Sequence, residues 1–433
     1  MVDGSALWLG AAGFVVLAVR VEGEEFVVAI ETTRVRVACP ACGLIAVTKD
    51  RRRVRLRDVS SGGRPVIIEW LKRVWECADP RCETRTWTEQ RPDFAGERRV
   101  LTERAAHWAC DQLASLEGTT ASVARRLGVS WSTVWAAVLE HARPLIDDPA
   151  RVGESAMVGF DETVFTHATR GRRRRFVTCA VDTSSGLVID VFEGRDSADL
   201  GRWLARQPAD WCGTVGVVSV DPHEGYRNAL INSPFLGEVT LVVDPFHIVR
   251  LANQALTRCR QRVQQEQLGH RGRARDPLYG ARKLLLLGAE RVDEAGWERI
   301  HAVLRAGDPG DEVLGCWIAK ELVRDVYLTD DPAEAEAALD AALAWCSEPE
   351  ATIEQRRLAK TLRRWRDEIL AHHHTSASNG KVEAANVTIK QIKRSGRGFR
   401  NFANYRLRIL LTAGRTREHQ PVTRLRARPS SVA

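Results

Sequence analysis

Alternating apolar and polar positions predict that the first part of the chain is rich in β-structure. Val, Phe and Ala alternate with Glu and Arg through residues 21–32, and this period of two is typical of strands. Two further strands are predicted over 53–59 and 65–75, with a turn at 61–63. We therefore predict a β domain over 1–95. No apolar run reaches the ~20 residues that a membrane-spanning helix needs.

The following segment has the spacing of a helix-turn-helix. Thr102 can cap a helix that Gly118 ends, and Thr120 opens a short helix. A glycine turn at 128–130 and a helix over 131–141 complete the arrangement. An ordinary helical bundle linker is the alternative. The DNA-contacting residues predicted in this domain, 100–145, are Arg125, Arg126, Ser130, Ser132 and Thr133.

Residues 155–250 alternate strand and helix patterns in the order β-β-β-α-β-α-β, which is the order of a ribonuclease-H-like domain. An apolar run over 156–160 ends in Asp161, and a continuous apolar strand over 214–220 ends in Asp221. Each aspartate is thus predicted at the start or end of a core strand. Both are expected to meet at one edge of the sheet.

A third carboxylate is expected from a later helix, and Glu383 is the best candidate. Ser378 or Asn379 can cap that helix. Residues at i+3, i+7 and i+10 from Glu383 share its face, so an acid near the helix start is followed by amide and cationic side chains. These are Asn386, Lys390 and Lys393.

Three carboxylates from three elements suit metal-dependent phosphodiester chemistry. Cleavage by water and attack by a 3′-hydroxyl are in-line displacements, and two metal ions about 3.5–4 Å apart stabilise the attacking and leaving oxygens. Mg²⁺ prefers carboxylate oxygens. We therefore predict Mg²⁺, or Mn²⁺, on Asp161, Asp221 and Glu383.

Four clustered cysteines predict a structural Zn²⁺ site. Cys39 and Cys42 form a CxxC knuckle, and Cys77 and Cys82 form a second one beyond the predicted hairpin. Two such turns present four thiolates to one tetrahedral Zn²⁺, as in a zinc ribbon. Four reduced core cysteines are the alternative. The remaining cysteines are expected to be reduced and buried: Cys110, Cys179, Cys212, Cys259, Cys316 and Cys346.

The net charge changes the picture only modestly. Apolar residues make up 44% of the 433 residues, which disfavours wholesale disorder, and the formal net charge of +8 favours a polyanionic partner. Two basic runs are candidates for contacting the DNA backbone. Their residues are Arg172, Arg173 and Arg174, then Lys390, Lys393, Arg394 and Arg397.

Taken together, these motifs resemble the DDE transposases of bacterial insertion sequences, specifically the insertion-sequence L-three family, over nearly the whole chain. The resemblance rests on the cysteine pairs, on Gly159-Phe-Asp-Glu162, on Asp221 with Tyr226, on Asp244-Pro-Phe-His247, and above all on the run 378–386. It implies that Asp161, Asp221 and Glu383 are catalytic.

The resemblance also assigns supporting roles. Asp244 and His247 match an Asp-x-x-His motif, and with Asn386 they are expected to position the carboxylates, since Mg²⁺ favours oxygen ligands over the histidine. The family often has glycine after the last glutamate, where this chain has Ala384. A histidine that commonly follows the first cysteine pair is replaced by the stretch 48–51.

The predicted protein is thus an α/β multidomain DNA transposase. After the zinc ribbon and the helix-turn-helix comes the ribonuclease-H-like core, interrupted by an all-α insertion over 251–374, closed by helices over 375–412 and followed by a basic tail over 413–433. It is expected to bind terminal inverted repeats through 1–145, cleave the DNA and join the 3′ ends to target DNA. At least a dimer on double-stranded DNA, in the bacterial cytoplasm with the nucleoid, is expected.

Two alternatives remain at this level. One is a catalytically silent DNA-binding regulator derived from a transposase, and the other is a metal-dependent nuclease without strand transfer.

Overall fold

The structure, a computed structural model, describes residues 12–116, 118–171 and 173–415. Arg172 and the basic tail beyond 415 lie outside the described residues. The described chain forms two compact units. The first comprises the residues up to Arg151 together with those from Lys390 onwards, and the second comprises Val152–Ile389. None of the described helices is both long enough and apolar enough to cross a membrane.

A five-stranded sheet forms the core of the first unit. Its strands are β1 (Phe14–Glu22), β2 (Glu25–Thr32), β3 (Val47–Ser61), β4 (Arg64–Glu76) and β5 (Thr86–Thr88). The order is β1-β2-β4-β3, with β5 also paired to β4, and only β2 and β4 run parallel. The predicted hairpin is confirmed, because Gly62 and Gly63 both take positive φ at the β3–β4 turn.

Four helices complete the first unit: α1 (Glu103–Ala114), α2 (Thr120–Leu127), α3 (Trp131–Ile146) and α15 (Phe402–Ala413). Thr102 caps α1 as predicted, accepting a hydrogen bond from the amide of Ala105 at 3.2 Å. The helix ends at Ala114, not at Gly118 as predicted, because Ser115 is extended. Gly118 is required for another reason: a Cβ there would lie 2.1 Å from the carbonyl oxygen of Gln112.

The helix-turn-helix itself has the predicted layout with small differences. Thr119, one residue before the predicted start, caps α2 through the amide of Ser122. Gly128 ends α2 with a φ of 65°, a left-handed conformation that favours glycine. The third helix, α3, runs beyond the predicted 131–141 to Ile146.

Two buried polar side chains join the elements of the first unit. Asp58 on β3 is fully buried and accepts hydrogen bonds from Thr102 Oγ1 at 2.7 Å and Arg104 Nε at 2.8 Å. Arg408 on α15 donates from Nη2 to the carbonyl oxygens of Ser115 at 3.1 Å and Gly118 at 2.9 Å. The helix-turn-helix is therefore fixed to the sheet on one side and to the last helix on the other.

A second five-stranded sheet organises the second unit. Its strands are β6 (Met157–Thr166), β7 (Arg175–Asp182), β8 (Val188–Glu193), β9 (Val217–Val220) and β10 (Thr240–Val243). Their order is β10-β9-β6-β7-β8, in which β6, β7 and β8 are antiparallel while β6, β9 and β10 run parallel. The connecting helices are α4 (Ser197–Leu204), α5 (Ala209–Cys212) and α6 (Glu224–Ile231). The predicted alternation of strands and helices is confirmed, with α5 as a short addition.

Between Pro245 and Thr375 the chain, all of it within the described residues, forms helices without a strand. These are α7 (Pro245–Leu268), α8 (Pro277–Gly280), α9 (Glu294–Gly307), α10 (Glu312–Asp325), α11 (Pro332–Trp345), α12 (Ile353–Arg364) and α13 (Arg366–Thr375). The next helix, α14 (Gly380–Ser395), starts in the second unit and ends in residues of the first. Residues 375–412, predicted as one closing segment, are thus divided between the two units.

Close packing of α14 against β6 leaves no room for a side chain at Gly159. A Cβ there would lie 2.4 Å from Val382 Cγ2 and 2.9 Å from Thr183 Cγ2. We therefore expect Gly159→Ala to destabilise the protein by about 1–3 kcal/mol, the usual penalty for overpacking a core. The measurement is the urea midpoint of unfolding, followed by circular dichroism.

The matched control is Gly201→Ala in α4, where the added Cβ meets no atom within 4 Å. This change should leave the free energy of unfolding unchanged or raise it by ~0.5–1 kcal/mol, because alanine is more favourable than glycine inside a helix. Equal effects of the two substitutions would contradict the packing argument.

Candidate active site and DNA-binding regions

The pairing of β6 with β9 places two aspartates side by side. Phe160 and Val220 are the last paired residues of these two parallel strands. Asp161 directly follows Phe160, and Asp221 directly follows Val220. Asp221 directly follows its strand, as predicted. The prediction that Asp161 ends a strand is wrong, because β6 continues to Thr166 and pairs with β7.

The surroundings of Asp161 disfavour its charged form. Burial, and after it the charge of Asp221, raise the pKa of Asp161 to about 6. Two hydrogen bonds act in the opposite sense, from the amide of Glu162 at 2.7 Å and from Asn386 Nδ2 at 2.6 Å. Two neighbouring carboxylates that repel each other in this way form a site where a cation is favoured.

His247 lies between Asp221 and a third aspartate, Asp244. Asp244 directly follows β10, and His247 lies in the first turn of α7. The imidazole Nε2 is 2.9 Å from Asp221 Oδ2, and Nδ1 is 3.2 Å from Asp244 Oδ2. Burial lowers the pKa of His247, but the bonds to both carboxylates outweigh it and raise that pKa to about 9. At neutral pH the imidazolium therefore donates to both.

Asn379 adds a contact that the sequence did not indicate. It had been predicted only as a possible cap of α14, which begins at Gly380. Its backbone amide donates to Asp244 Oδ1 at 2.9 Å, and its Nδ2 is 3.5 Å from Asp221 Oδ1. Although burial raises the pKa of Asp244, hydrogen bonds from His247 and Asn379 hold it below its usual value. In the sequence, the only sign of this role is a polar residue just before the helix that carries Glu383.

Two buried amide oxygens in this site lack a hydrogen-bond partner. They are Oδ1 of Asn379 and Oδ1 of Asn386, both on residues no more than 2% exposed. Buried polar atoms are almost always satisfied in folded proteins. With the two aspartates they form a set of oxygen donors, which is the chemistry that Mg²⁺ or Mn²⁺ prefers.

Glu383, the third candidate carboxylate, lies on α14. It is exposed on the first turn of α14, one turn before Asn386. The carboxylates of Asp161, Asp221 and Glu383 do not all lie within 4.8 Å of one another. The sheet therefore brings the two aspartates together, while the glutamate lies on the helix whose Asn386 contacts Asp161.

The four clustered cysteines meet as predicted. Their sulfur atoms all lie within 4.8 Å of one another. Cys39 and Cys82 are 3.8 Å apart and Cys42 and Cys77 are 3.4 Å apart, with no disulfide formed. Backbone hydrogen bonds, first from Cys42, lower the pKa of Cys39, whereas the pKa values of Cys77 and Cys82 are raised by burial and by the neighbouring thiols. Four sulfur donors at these distances fit a tetrahedral Zn²⁺. The six other cysteines are buried and free, as predicted.

The predicted DNA-contacting residues of the helix-turn-helix lie at its surface. Ser130 caps α3, with its Oγ 3.1 Å from the amide of Thr133, while Ser132 is exposed beside it. Arg126 lies over the ring of Trp108 and donates to Gln112. Arg125 is exposed.

A cleft of about 820 Å³ opens next to these residues in the first unit. Cationic and aromatic side chains from α2, α3 and the segment before α15 line it, among them Arg125, Trp131, Trp135, Arg397 and Arg400. Trp131 and Trp135 are stacked, with ring centroids 5.6 Å apart, and Trp131 is half exposed. Such a lining suits nucleic acid, which offers phosphates and flat bases.

The other predicted DNA contacts are also at the surface. Arg173 and Arg174 are exposed in the connection between β6 and β7, as expected of a hairpin tip. Lys390 and Arg394 are exposed on α14, whereas Lys393 is partly buried and burial lowers its pKa.

Three parts of the chain match known transposase families. The profile of a family described as a transposase, of the ISL3 type, matches residues 158–409. The helix-turn-helix domain of transposase family ISL3 matches 90–142, and the zinc finger of the IS204, IS1001, IS1096 and IS1165 transposases matches 36–82. The chain belongs to the ISL3 transposase family.

Curated relatives agree with this assignment. The chain is 24% identical over 397 residues to the transposase for insertion sequence element IS1001 of Bordetella parapertussis, covering 89% of this chain and 91% of that protein. It is 26% identical over 303 residues to the transposase for insertion sequence element IS1557 of Mycobacterium tuberculosis, covering 65% of each. The predicted family, zinc ribbon and helix-turn-helix are confirmed. This ISL3 transposase is a DNA-binding, DNA-processing enzyme.

The sulfur cluster of this ISL3 transposase gives a direct test. After dialysis, we expect about one tightly held Zn²⁺ per chain by elemental analysis, and its loss in a Cys39→Ser/Cys82→Ser double variant, because two of four ligands are removed. Cys212→Ala, which removes a buried thiol of the other unit, should keep the metal. Zinc-free protein purified without chelator would show that the cysteines are a reduced core.

Proposed function

We propose that this ISL3 transposase binds the terminal inverted repeats of its element, cleaves the DNA there and joins the 3′ ends to target DNA by two-metal-ion phosphoryl transfer. The observation that carries the proposal is the partly buried pair Asp161 and Asp221, with the unpartnered oxygens of Asn379 and Asn386 beside it. Glu383, exposed on the same helix as Asn386, supplies the third carboxylate.

The sheet of the second unit supports a ribonuclease-H-like core. Three antiparallel strands, β6 to β8, are followed by β9 and β10, which lie parallel on the other side of β6. The helices α7 to α13 then form an all-α insertion between the last strand and α14. On this reading the second unit is the catalytic domain, and the first unit holds and reads the DNA.

Asp161, Asp221 and Glu383 would hold the divalent ions. When bound, such ions stabilise the charge on the attacking and leaving oxygens of an in-line displacement at phosphorus. The chain's own contribution is to bring charged oxygens together and fix their directions. Asn386 fixes Asp161, while His247 fixes Asp221 and is itself held by Asp244. Asp244, His247 and Asn386 are thus positioning residues.

We further propose that the first unit contacts both element ends and that at least two copies of the chain act together, because joining requires two ends. Binding would use the exposed cations and the cleft at the helix-turn-helix, with the Zn²⁺ ribbon as a rigid support. Arg125, Lys390 and Arg394 are exposed and suit phosphates.

The prediction for the three carboxylates uses substitutions that remove the negative charge and keep the shape of the side chain. Asp161→Asn, Asp221→Asn and Glu383→Gln should each lower cleavage and joining of labelled end DNA by at least ~10²-fold, the scale of losing one electrostatic contact to a transition state. Binding of the ends in a gel shift should stay within a small factor, because the proposed DNA-binding residues are untouched.

Glu162→Gln is the matched control, since it neutralises the carboxylate of the residue that follows Asp161. The Glu162 carboxylate pairs with Arg195. This variant should remain active. Near-normal joining by any triad variant, with Mg²⁺ or Mn²⁺, removes that residue from the triad. The wild-type assay also separates the alternatives: binding alone indicates a silent regulator, and cleavage without joining indicates a nuclease.

The DNA-binding prediction uses the salt dependence of the full-length protein. The logarithm of affinity falls by roughly 0.9 per phosphate contact for each log unit of salt, so losing one contact should flatten that slope by about 0.9. We expect this for Arg125→Gln and for Arg394→Gln, measured by gel shift on end DNA and on scrambled DNA.

Arg206→Gln, an exposed arginine of the second unit, is the control and should leave the slope unchanged. Equal affinity of the wild type for end and scrambled DNA would refute specific recognition of the ends.

A further inference from the structure

Outside the sites described so far, one cluster of metal-ligating side chains remains in the described residues. Glu103, His107 and His141 place their ligand atoms within 4.8 Å of one another. Glu103 and His107 stand four residues apart on one face of α1, and His141 comes from α3. We propose that these three residues form a second metal site, for a divalent transition metal, that joins α1 to α3.

The distances carry the proposal. His141 Nε2 lies 3.5 Å from Glu103 Oε2, and the rings of His107 and His141 have their centroids 4.3 Å apart. A tetrahedral ion with bonds of ~2.0–2.1 Å holds its ligand atoms roughly 3.3–3.5 Å apart. Small side-chain rotations therefore suffice to bring all three donors onto one ion.

The donor set selects the class of metal. Two imidazole nitrogens and one carboxylate oxygen suit Zn²⁺, Co²⁺, Ni²⁺ or Cu²⁺, whereas Mg²⁺ and Ca²⁺ prefer oxygen alone. Three protein ligands leave a position for water. Because Glu103 and His107 are at least partly exposed, solvent and free metal can reach the site.

The neighbouring charges are compatible with this site. Two nearby cations have other partners: Arg99 donates to Glu140 at 2.6 Å, and Arg104, next to Glu103 in sequence, pairs with Asp58. In the part of the chain that the structure describes, the recorded ion pair of Glu103 is with His141.

The consequence would be a clamp on the helix-turn-helix. Ser132 and Thr133, two of the predicted DNA contacts, lie on α3, and α1 is one of the helices that pack against it. A metal bound only by the folded state stabilises that state, so the melting temperature of the unit should rise with the logarithm of the metal concentration once this exceeds the Kd. This site does not depend on the catalytic proposal, since neither uses a residue of the other.

The test uses full-length, untagged protein whose ribbon is saturated with Zn²⁺. Titration with Co²⁺ or Ni²⁺ in a calorimeter, in a large excess of Mg²⁺ that fills the carboxylate site, should show one further equivalent. The near-ultraviolet spectrum of the Co²⁺ form should lack the thiolate charge-transfer bands that replacement of zinc at the cysteines would give. The melting temperature should rise with added metal.

His107→Gln should weaken this binding by at least the ~10–100-fold that loss of an outer ligand partner costs, because a direct ligand is removed. His141→Gln should do the same, and should His141→Gln unfold, the exposed His107 decides the matter. The control is His167→Gln, an exposed histidine of the other unit, which should bind as the wild type does. A wild type without a further equivalent, or full binding by His107→Gln, would overturn the proposal.

Discussion

The structure of the second unit depends on one constraint: two carboxylates that repel each other must lie side by side. Asp161 and Asp221 follow the last paired residues of two adjacent parallel strands, so the register of β6 against β9 forces them together. Partial burial makes that proximity unfavourable for charge and raises the pKa of Asp161. The fold tolerates the pair because Asn386 donates to Asp161 and the imidazolium of His247 lies against Asp221. A pair retained at such a cost is a common sign of a functional site.

The same contacts join the two ends of the helical segment. Asp244 precedes α7 and Asn379 precedes α14, and the amide of Asn379 donates to Asp244 although 135 residues separate them. His247 then connects Asp244 to Asp221 on the neighbouring strand. The chain therefore leaves the sheet and returns to it at one point, held by a network of buried polar groups.

Local patterns in the sequence were sufficient for the elements but not for every position within them. The apolar run ending at Val220 located Asp221 correctly, whereas β6 runs past Asp161 because its hairpin partner β7 extends beyond the end of β9. The polar residues Asp161, Glu162 and Thr163 interrupt the apolar pattern and hid this continuation. Asn379 was read as a helix cap, since its contacts with Asp221 and Asp244 join residues more than a hundred positions apart and no periodicity encodes them.

The division of the chain into units follows from another long-range contact that no local pattern contains. Residues 1–145 read as a self-sufficient DNA-binding segment, yet Arg408 reaches the carbonyl oxygens of Ser115 and Gly118 from α15. These carbonyls lie just beyond the end of α1, where helix geometry leaves acceptors without partners. Arg408 is only 5% exposed, so its guanidinium is held away from water, and this burial lowers its pKa to about 10. The helix-turn-helix is therefore completed only by the last helix, so its structure depends on both ends of the described chain.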